Sequence, residues 1–153
     1  MEIEAFLADS VTSSGGKLYV LGAGWNALNA GGFPARHDRI GIGVLIRVPT
    51  PEAGRPHTLG LRLLGADGRD RSFGTAPDGS EIRTLEAQFG VGPPGGLEGS
   101  VAIALNVDGL VFETAGTYTF VLAVDGSDLK RLPFGVQTTP PHTSEGYQGG
   151  VYL

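Results

Sequence analysis

Apolar and polar residues alternate with a period of two along most of the chain. The cleanest run is Tyr118-Thr119-Phe120-Val121-Leu122-Ala123-Val124, in which Tyr118, Phe120, Leu122 and Val124 share a face. A strand points successive side chains to opposite faces, so this pattern predicts a half-buried β-strand. Leu132, Phe134 and Val136 form the next apolar set, and the intervening Asp125-Gly126-Ser127 predicts a hairpin turn. Val101, Ile103, Leu105 and Val107 repeat the rule, as do Ile40, Ile42, Val44, Ile46 and Val48, and then Leu59, Leu61 and Leu63. With Glu2 to Ala8, Lys17 to Gly22 and Thr84 to Phe89, the pattern predicts about eight strands, each with one apolar face. Two antiparallel sheets packed face to face bury such faces best, so the predicted class is all-β, a sandwich.

Composition agrees with many short strands and many turns. The 153 residues include 26 glycines and 10 prolines, while 41% are hydrophobic, enough to furnish a core. Four Asp-Gly pairs, at Asp67, Asp78, Asp108 and Asp125, read as turns; none carries the alternating oxygen ligands and closing Glu of an EF-hand. Alternation stops near Gln137, where Thr138-Thr139-Pro140-Pro141 ends any central strand. The predicted organisation is a β-sandwich domain over 1–136 and a Pro/Gly-containing tail over 137–153 with an aromatic terminus.

Charge and residue chemistry remove several function classes. The chain has no cysteine, which excludes disulfides, thiolate nucleophiles and sulfur-based zinc sites. Its net charge is −5, with the basic residues single or in pairs along the sequence, so no nucleic-acid partner is expected. The acidic start Met1-Glu2-Ile3-Glu4 is unlike a signal peptide, and the longest apolar run, Ile40 to Ile46, is too short to span a bilayer; the expected location is cytoplasmic, with no membrane partner. His37, His57 and His142 show no paired ligand spacing, so no metal site and no cofactor is expected. There is no Gly-x-Ser-x-Gly elbow and no opposed carboxylate pair, and the chain is read as non-enzymatic. Gly22-Ala23-Gly24-Trp25-Asn26-Ala27 imitates a dinucleotide-binding turn, but Gly31, Gly32 and Pro34 interrupt the helix that such a turn requires.

Two segments are candidates for function. The first is Gly22 to Arg39, 18 residues predicted as one long loop and holding the only tryptophan. Trp25, Asn26, Asn29, Arg36 and His37 in it suit a small ligand, a sugar above all, because an exposed indole stacks on a ring while amides and charged groups orient it. Equally, Trp25 and Phe33 suit a plug at one end of the sandwich. The second is the tail, whose Tyr147, Val151, Tyr152 and Leu153 combine β-propensity, aromatic anchors and a terminal carboxylate. These are the properties of a peptide that adds to a sheet edge, so a protein partner or self-association through the tail is expected.

Gly116-Thr117-Tyr118-Thr119-Phe120 resembles the tyrosine corner of immunoglobulin-like domains, in which the hydroxyl bonds back to nearby backbone. Five stretches extend the resemblance: Ala8-Asp9-Ser10-Val11, Gly15-Gly16-Lys17-Leu18, Gly22-Ala23-Gly24-Trp25, Phe33-Pro34-Ala35-Arg36-His37 and Arg47-Val48-Pro49. With Leu132-Pro133-Phe134, they are similar to a family of uncharacterised bacterial proteins, found mostly in actinobacteria and known as a domain of unknown function. That resemblance covers residues 1 to about 136 and implies an antiparallel immunoglobulin-like sandwich with no assigned activity. The expected function is an interaction or assembly subunit whose tail docks on a neighbouring copy or a larger assembly, with a small-ligand or carbohydrate-binding module as the alternative.

Overall fold

The computed structural model describes residues 1–92 and 99–139. All eight predicted strands form, and the described residues hold thirteen, because short polar segments also pair. In chain order these are β1 (Glu2–Ala8), β2 (Ser10–Ser14), β3 (Lys17–Leu21), β4 (Ala27–Ala30), β5 (Ala35–Val48), β6 (His57–Leu64), β7 (Asp70–Arg71), β8 (Gly74–Thr75), β9 (Glu81–Ile82), β10 (Leu85–Phe89), β11 (Gly99–Phe112), β12 (Gly116–Val124) and β13 (Ser127–Thr138). Outside the strands, the described residues hold one 3₁₀ turn, at Thr50–Glu52. The fold is therefore all-β, and no helix among the described residues is long and apolar enough to cross a membrane.

Two larger sheets share one core. The first has the order β1-β5-β11; the second runs β10-β6-β12-β13-β4, with β7 on the same edge of β6 as β10. All pairings are antiparallel except β13 with β4, which is parallel. From β5, Ile40, Ile42, Val44, Ile46 and Val48 are all fully buried, opposite Leu59, Leu61 and Leu63 of β6 and Phe120 and Leu122 of β12. The ring of Phe134 gathers Phe112, Tyr118, Phe120 and Trp25 around it, with centroids 5.3 to 6.2 Å away. Burying these aromatics contributes the largest apolar areas per residue in the core. Tyr118 donates its hydroxyl to the Thr114 carbonyl at 2.7 Å, as its sequence context predicts.

Turns follow the glycine chemistry with one exception. Asp125 (φ 49°) and Gly126 (φ 84°) are both left-handed, the geometry of the two-residue hairpin turn predicted between β12 and β13. Asp108-Gly109 instead lies inside β11, whose pairing with β5 continues on both sides of it. The β2–β3 ribbon folds over the outer face of the first sheet, where Asn106 accepts from the Val11 amide at 3.0 Å and donates to the Val11 carbonyl at 2.7 Å. An amide side chain there does the work of a neighbouring strand.

Two expectations need correction. The strand count exceeds eight because β2, β4 and the short β7, β8 and β9 are too polar or too brief to show alternation. The Gly22–Arg39 segment is not one loop, since it contains β4 and the first turn-free residues of β5. β13 continues through Thr138, and the Thr139 amide still bonds to the Ala30 carbonyl at 3.0 Å. The parallel partner β4 supplies these extra hydrogen bonds, and nothing in the local sequence of β13 announces it.

Candidate functional site

The glycines after β3 have conformational reasons to be glycine. Gly22 has φ 63°, and a Cβ on it would collide with the Asp9 carboxylate; Gly24 has φ 96° and bonds through its amide to the Leu7 carbonyl at 3.2 Å. The chain then enters β4, a strand, where a dinucleotide-binding turn would open a helix. Trp25 is half-buried, edge-on to Phe134, with its Nε1 sealed from solvent and without an acceptor among the described residues. Asn26 is fixed through its backbone, its carbonyl accepting from the Gly135 amide at 2.8 Å. Phe33 also packs against the core.

The remaining candidates of this segment do converge. Asn29, Arg36 and His37 line a cleft of about 270 Å³ floored by Phe112 and Val136. Gly109, with φ 67°, lets the Arg36 guanidinium lie close above it, where a Cβ would approach Nη2 to 2.8 Å. Asn29 accepts from Gln137 at 2.9 Å, which ties β4 to the end of β13. The cleft offers a cation, an imidazole and an amide but no lining carboxylate and no nucleophile paired with a base. Of the five residues named from the sequence, the fold brings together three; Trp25 and Asn26 face elsewhere.

A second feature lies along β11. Among the described residues it has a hydrogen-bonded neighbour on one side only, β5. Because β1 sits beside β13, β11 falls on the side of the molecule where the other sheet ends in β10. Val101, Ile103 and Leu105 point inward in register with Ile46, Val44 and Ile42, yet each is only half-buried, as is Leu85 of β10. The two sheets thus leave an apolar seam open between β11 and β10. An edge strand with unpaired backbone groups beside apolar side chains is a template for an added strand. The sequence showed the alternation of Val101, Ile103 and Leu105 but carried no sign that this strand would be an edge. Tyr147, Val151, Tyr152 and Leu153, the docking residues expected in the tail, lie outside the described residues.

His57 was read as structural or solvated, and its environment is specific. It is fully buried and stacks on Phe89 at 5.4 Å. Its Nδ1 lies 2.7 Å from Asp125 Oδ2 and its Nε2 3.0 Å from the Glu52 carbonyl. With Asp125 ionised both neighbours accept, an arrangement that favours the imidazolium, whose two ring nitrogens both donate. The hydrogen bond to Asp125, and next the Glu52 carbonyl, hold the imidazole above its ordinary 6.5 against the opposing effect of burial. Reciprocally, His57 and the Thr58 amide hold the Asp125 carboxyl below its ordinary range. This pair pins the 3₁₀ turn to the β12–β13 hairpin. Among the described residues no group of three or more His, Asp or Glu side chains is placed to hold a metal ion.

No curated protein matches the chain. Among solved structures, it is similar to Pseudomonas fluorescens alkylpurine DNA glycosylase AlkC bound to DNA containing an abasic site analog, with a TM-score of 0.46 and 12% identity over 88% of this chain. The chain spans 31% of that enzyme chain, and a likeness this distant carries nothing about activity. Residues 4–137, almost the whole of the described fold, match the Family of unknown function (DUF6941), and the chain belongs to that family.

Proposed function

We propose that this protein is a non-enzymatic interaction or assembly subunit, and that its C-terminal segment docks on a neighbouring copy by adding a strand to β11. The observation that carries the reading is the one-sided pairing of β11 beside the half-buried Val101, Ile103 and Leu105. Its donor is the segment ending in Val151-Tyr152-Leu153, which has the β-propensity and anchors that such an edge accepts. β13 leads into the tail from the β4 side of the larger sheet, whereas the half-buried Val101, Ile103 and Leu105 lie toward β10, which supports a neighbouring copy as the acceptor. We take the two facing sheets, with their tyrosine corner at Tyr118, as an immunoglobulin-like sandwich whose edges serve as the interaction device.

The test uses native mass. The intact chain is expected to self-associate, and deleting Gly146 to Leu153 or replacing Ile103 by lysine, each with the fold retained by circular dichroism, is expected to give monomers. Mixing the two variants, one with an intact tail and the other with an intact edge, should restore a dimer with a single joint. An intact chain that is monomeric at high concentration overturns the proposal, as does association that survives both changes. A second reading, a small-ligand or carbohydrate-binding module, is favoured by one observation, the cleft that brings Asn29, Arg36 and His37 together.

A further inference from the structure

Five of the eleven basic residues are separated by up to 69 positions in sequence and meet on the outer face of the larger sheet. Arg62 of β6 and Arg131 of β13 flank Val121 of β12 in the pairing register. Val121 is on the solvent side of the sheet and is nevertheless fully buried, which the long stems of the two arginines explain. Arg69 and Arg71 reach in from the turn around β7, and Arg83 from the strand-free stretch after β9. Together they line an open cleft of about 750 Å³.

The acidic groups there act as posts. Asp128 accepts from Arg62 Nη2 with both carboxylate oxygens, each at 3.0 Å, and stands 3.6 Å from Arg131. Asp70 accepts from Arg62 at 3.4 Å through its carboxylate and from Arg83 at 2.9 Å through its carbonyl. Arg71 pairs with Asp67 at 3.1 Å, its guanidinium lying against Gly65 where a Cβ would displace it, and Arg83 pairs with Glu81. Arg69 has no carboxylate partner among the described residues, and Arg131 has only the long contact. The lining thus carries five guanidinium groups against two carboxylates in a chain whose net charge is −5.

We infer that this cleft binds a small phosphate-bearing ligand through Arg69 and Arg131, with Arg62 and its two aspartates as the scaffold that positions them. A planar guanidinium presents paired N–H donors that match phosphate oxygens, and here one is carried on β13 (Arg131) and the other on the turn that leads into β7 (Arg69). The excess charge shrinks to a single unit once the rim carboxylates Asp67 and Glu81 are counted. That suits a single phosphate group and is too little to track the backbone of a nucleic acid. None of its described lining residues belongs to β11.

Calorimetric titration of the full chain with inorganic phosphate at low ionic strength tests the inference, with citrate and a short single-stranded DNA as parallel arms. Saturable 1:1 binding of phosphate is expected, weakened at least tenfold in Arg69→Gln/Arg131→Gln. Arg69 holds no close structural pair and glutamine at 131 keeps part of the stem that covers Val121, so the double variant should stay folded, which circular dichroism checks. Absence of saturable phosphate binding overturns the inference, as does binding that the double variant retains. Citrate binding without phosphate binding would reassign the cleft to carboxylates, and tighter binding of DNA than of phosphate would overturn the small-ligand assignment.

Discussion

Replacing Asp125 by asparagine isolates the charge in the His57 pin, because the backbone at this position is left-handed (φ 49°) and asparagine adopts that conformation readily. The carboxylate has two acceptor oxygens in use: Oδ2 faces His57 Nδ1 at 2.7 Å, and Oδ1 accepts from the Thr58 amide at 2.9 Å. An amide has one acceptor oxygen, so the substitution leaves either the imidazolium or the Thr58 amide without a partner. Losing one charge-assisted bond costs about 1.5–3 kcal/mol, and half-exposure of Asp125 places this case toward the lower end, about 2 kcal/mol. In a chain of this size that lowers the melting temperature by about 4–8 °C.

The pH dependence makes the reasoning refutable. His57 is held above its ordinary 6.5, so its contribution is fully present below that value and is lost as pH rises through the raised folded-state pKa. Asp125 is held below its ordinary 3.8, so its contribution is present above that value and is lost as pH falls through the lowered one. The gap in melting temperature between the native chain and Asp125→Asn should therefore be widest between about pH 4 and pH 6.5 and narrow on both sides. Arg55, close to both groups, opposes the imidazolium slightly and supports the carboxylate. Thermal melts from pH 3 to pH 9, with the His57 ring followed by NMR, make the measurement. A gap that is constant across this range, or a ring that titrates at or below 6.5, refutes the assignment of an imidazolium.

Two further outcomes follow from contacts on either side of the core. Trp25→Phe should change stability by less than about 1 kcal/mol, since it keeps the edge contact to Phe134 and removes an indole N–H that has no acceptor among the described residues; denaturant melts check this, and a loss above about 3 kcal/mol would show that the indole N–H has a partner. Asn106→Ala removes both bonds to Val11 and should cost about 2 kcal/mol, with hydrogen exchange at the Val11 amide accelerating more than exchange at Ile42 or Val44; uniform acceleration would mean that the ribbon is no separate unit.

What the sequence made legible was whatever a single strand carries in itself. The alternation in β1, β5, β6 and β10 to β13 marks one buried face each, and the positive-φ pair at Asp125 and Gly126 is written in the dipeptide. What stayed hidden depends on partners far away in the chain. β4 has four residues and only Leu28 and Ala30 to bury, and it exists because β13 lends it a parallel ladder. His57 looks like any lone histidine until Asp125 arrives from 68 positions away. The ligand cleft was half legible for the same reason: Asn29, Arg36 and His37 meet through β4 and β5, while Trp25, chosen for its chemistry, turned to the core because Phe134 offers its ring an apolar face.

The arginines show how a net charge misleads when it is read along a line. Arg62, Arg69, Arg71, Arg83 and Arg131 look scattered in a chain of net charge −5, and sequence spacing predicts no basic field. Folding places Arg62 and Arg131 one strand apart on either side of β12, and the β7 turn brings Arg69 and Arg71 to the same face. Alternation decides this. On β6 the buried leucines at 59, 61 and 63 oblige residue 62 to face outward, and on β13 the inward Leu132 and Phe134 do the same for residue 131. The hydrophobic pattern that builds the core thus also sets which charges share a surface, and a charge count restricted to outward positions of adjacent strands would have found the cluster.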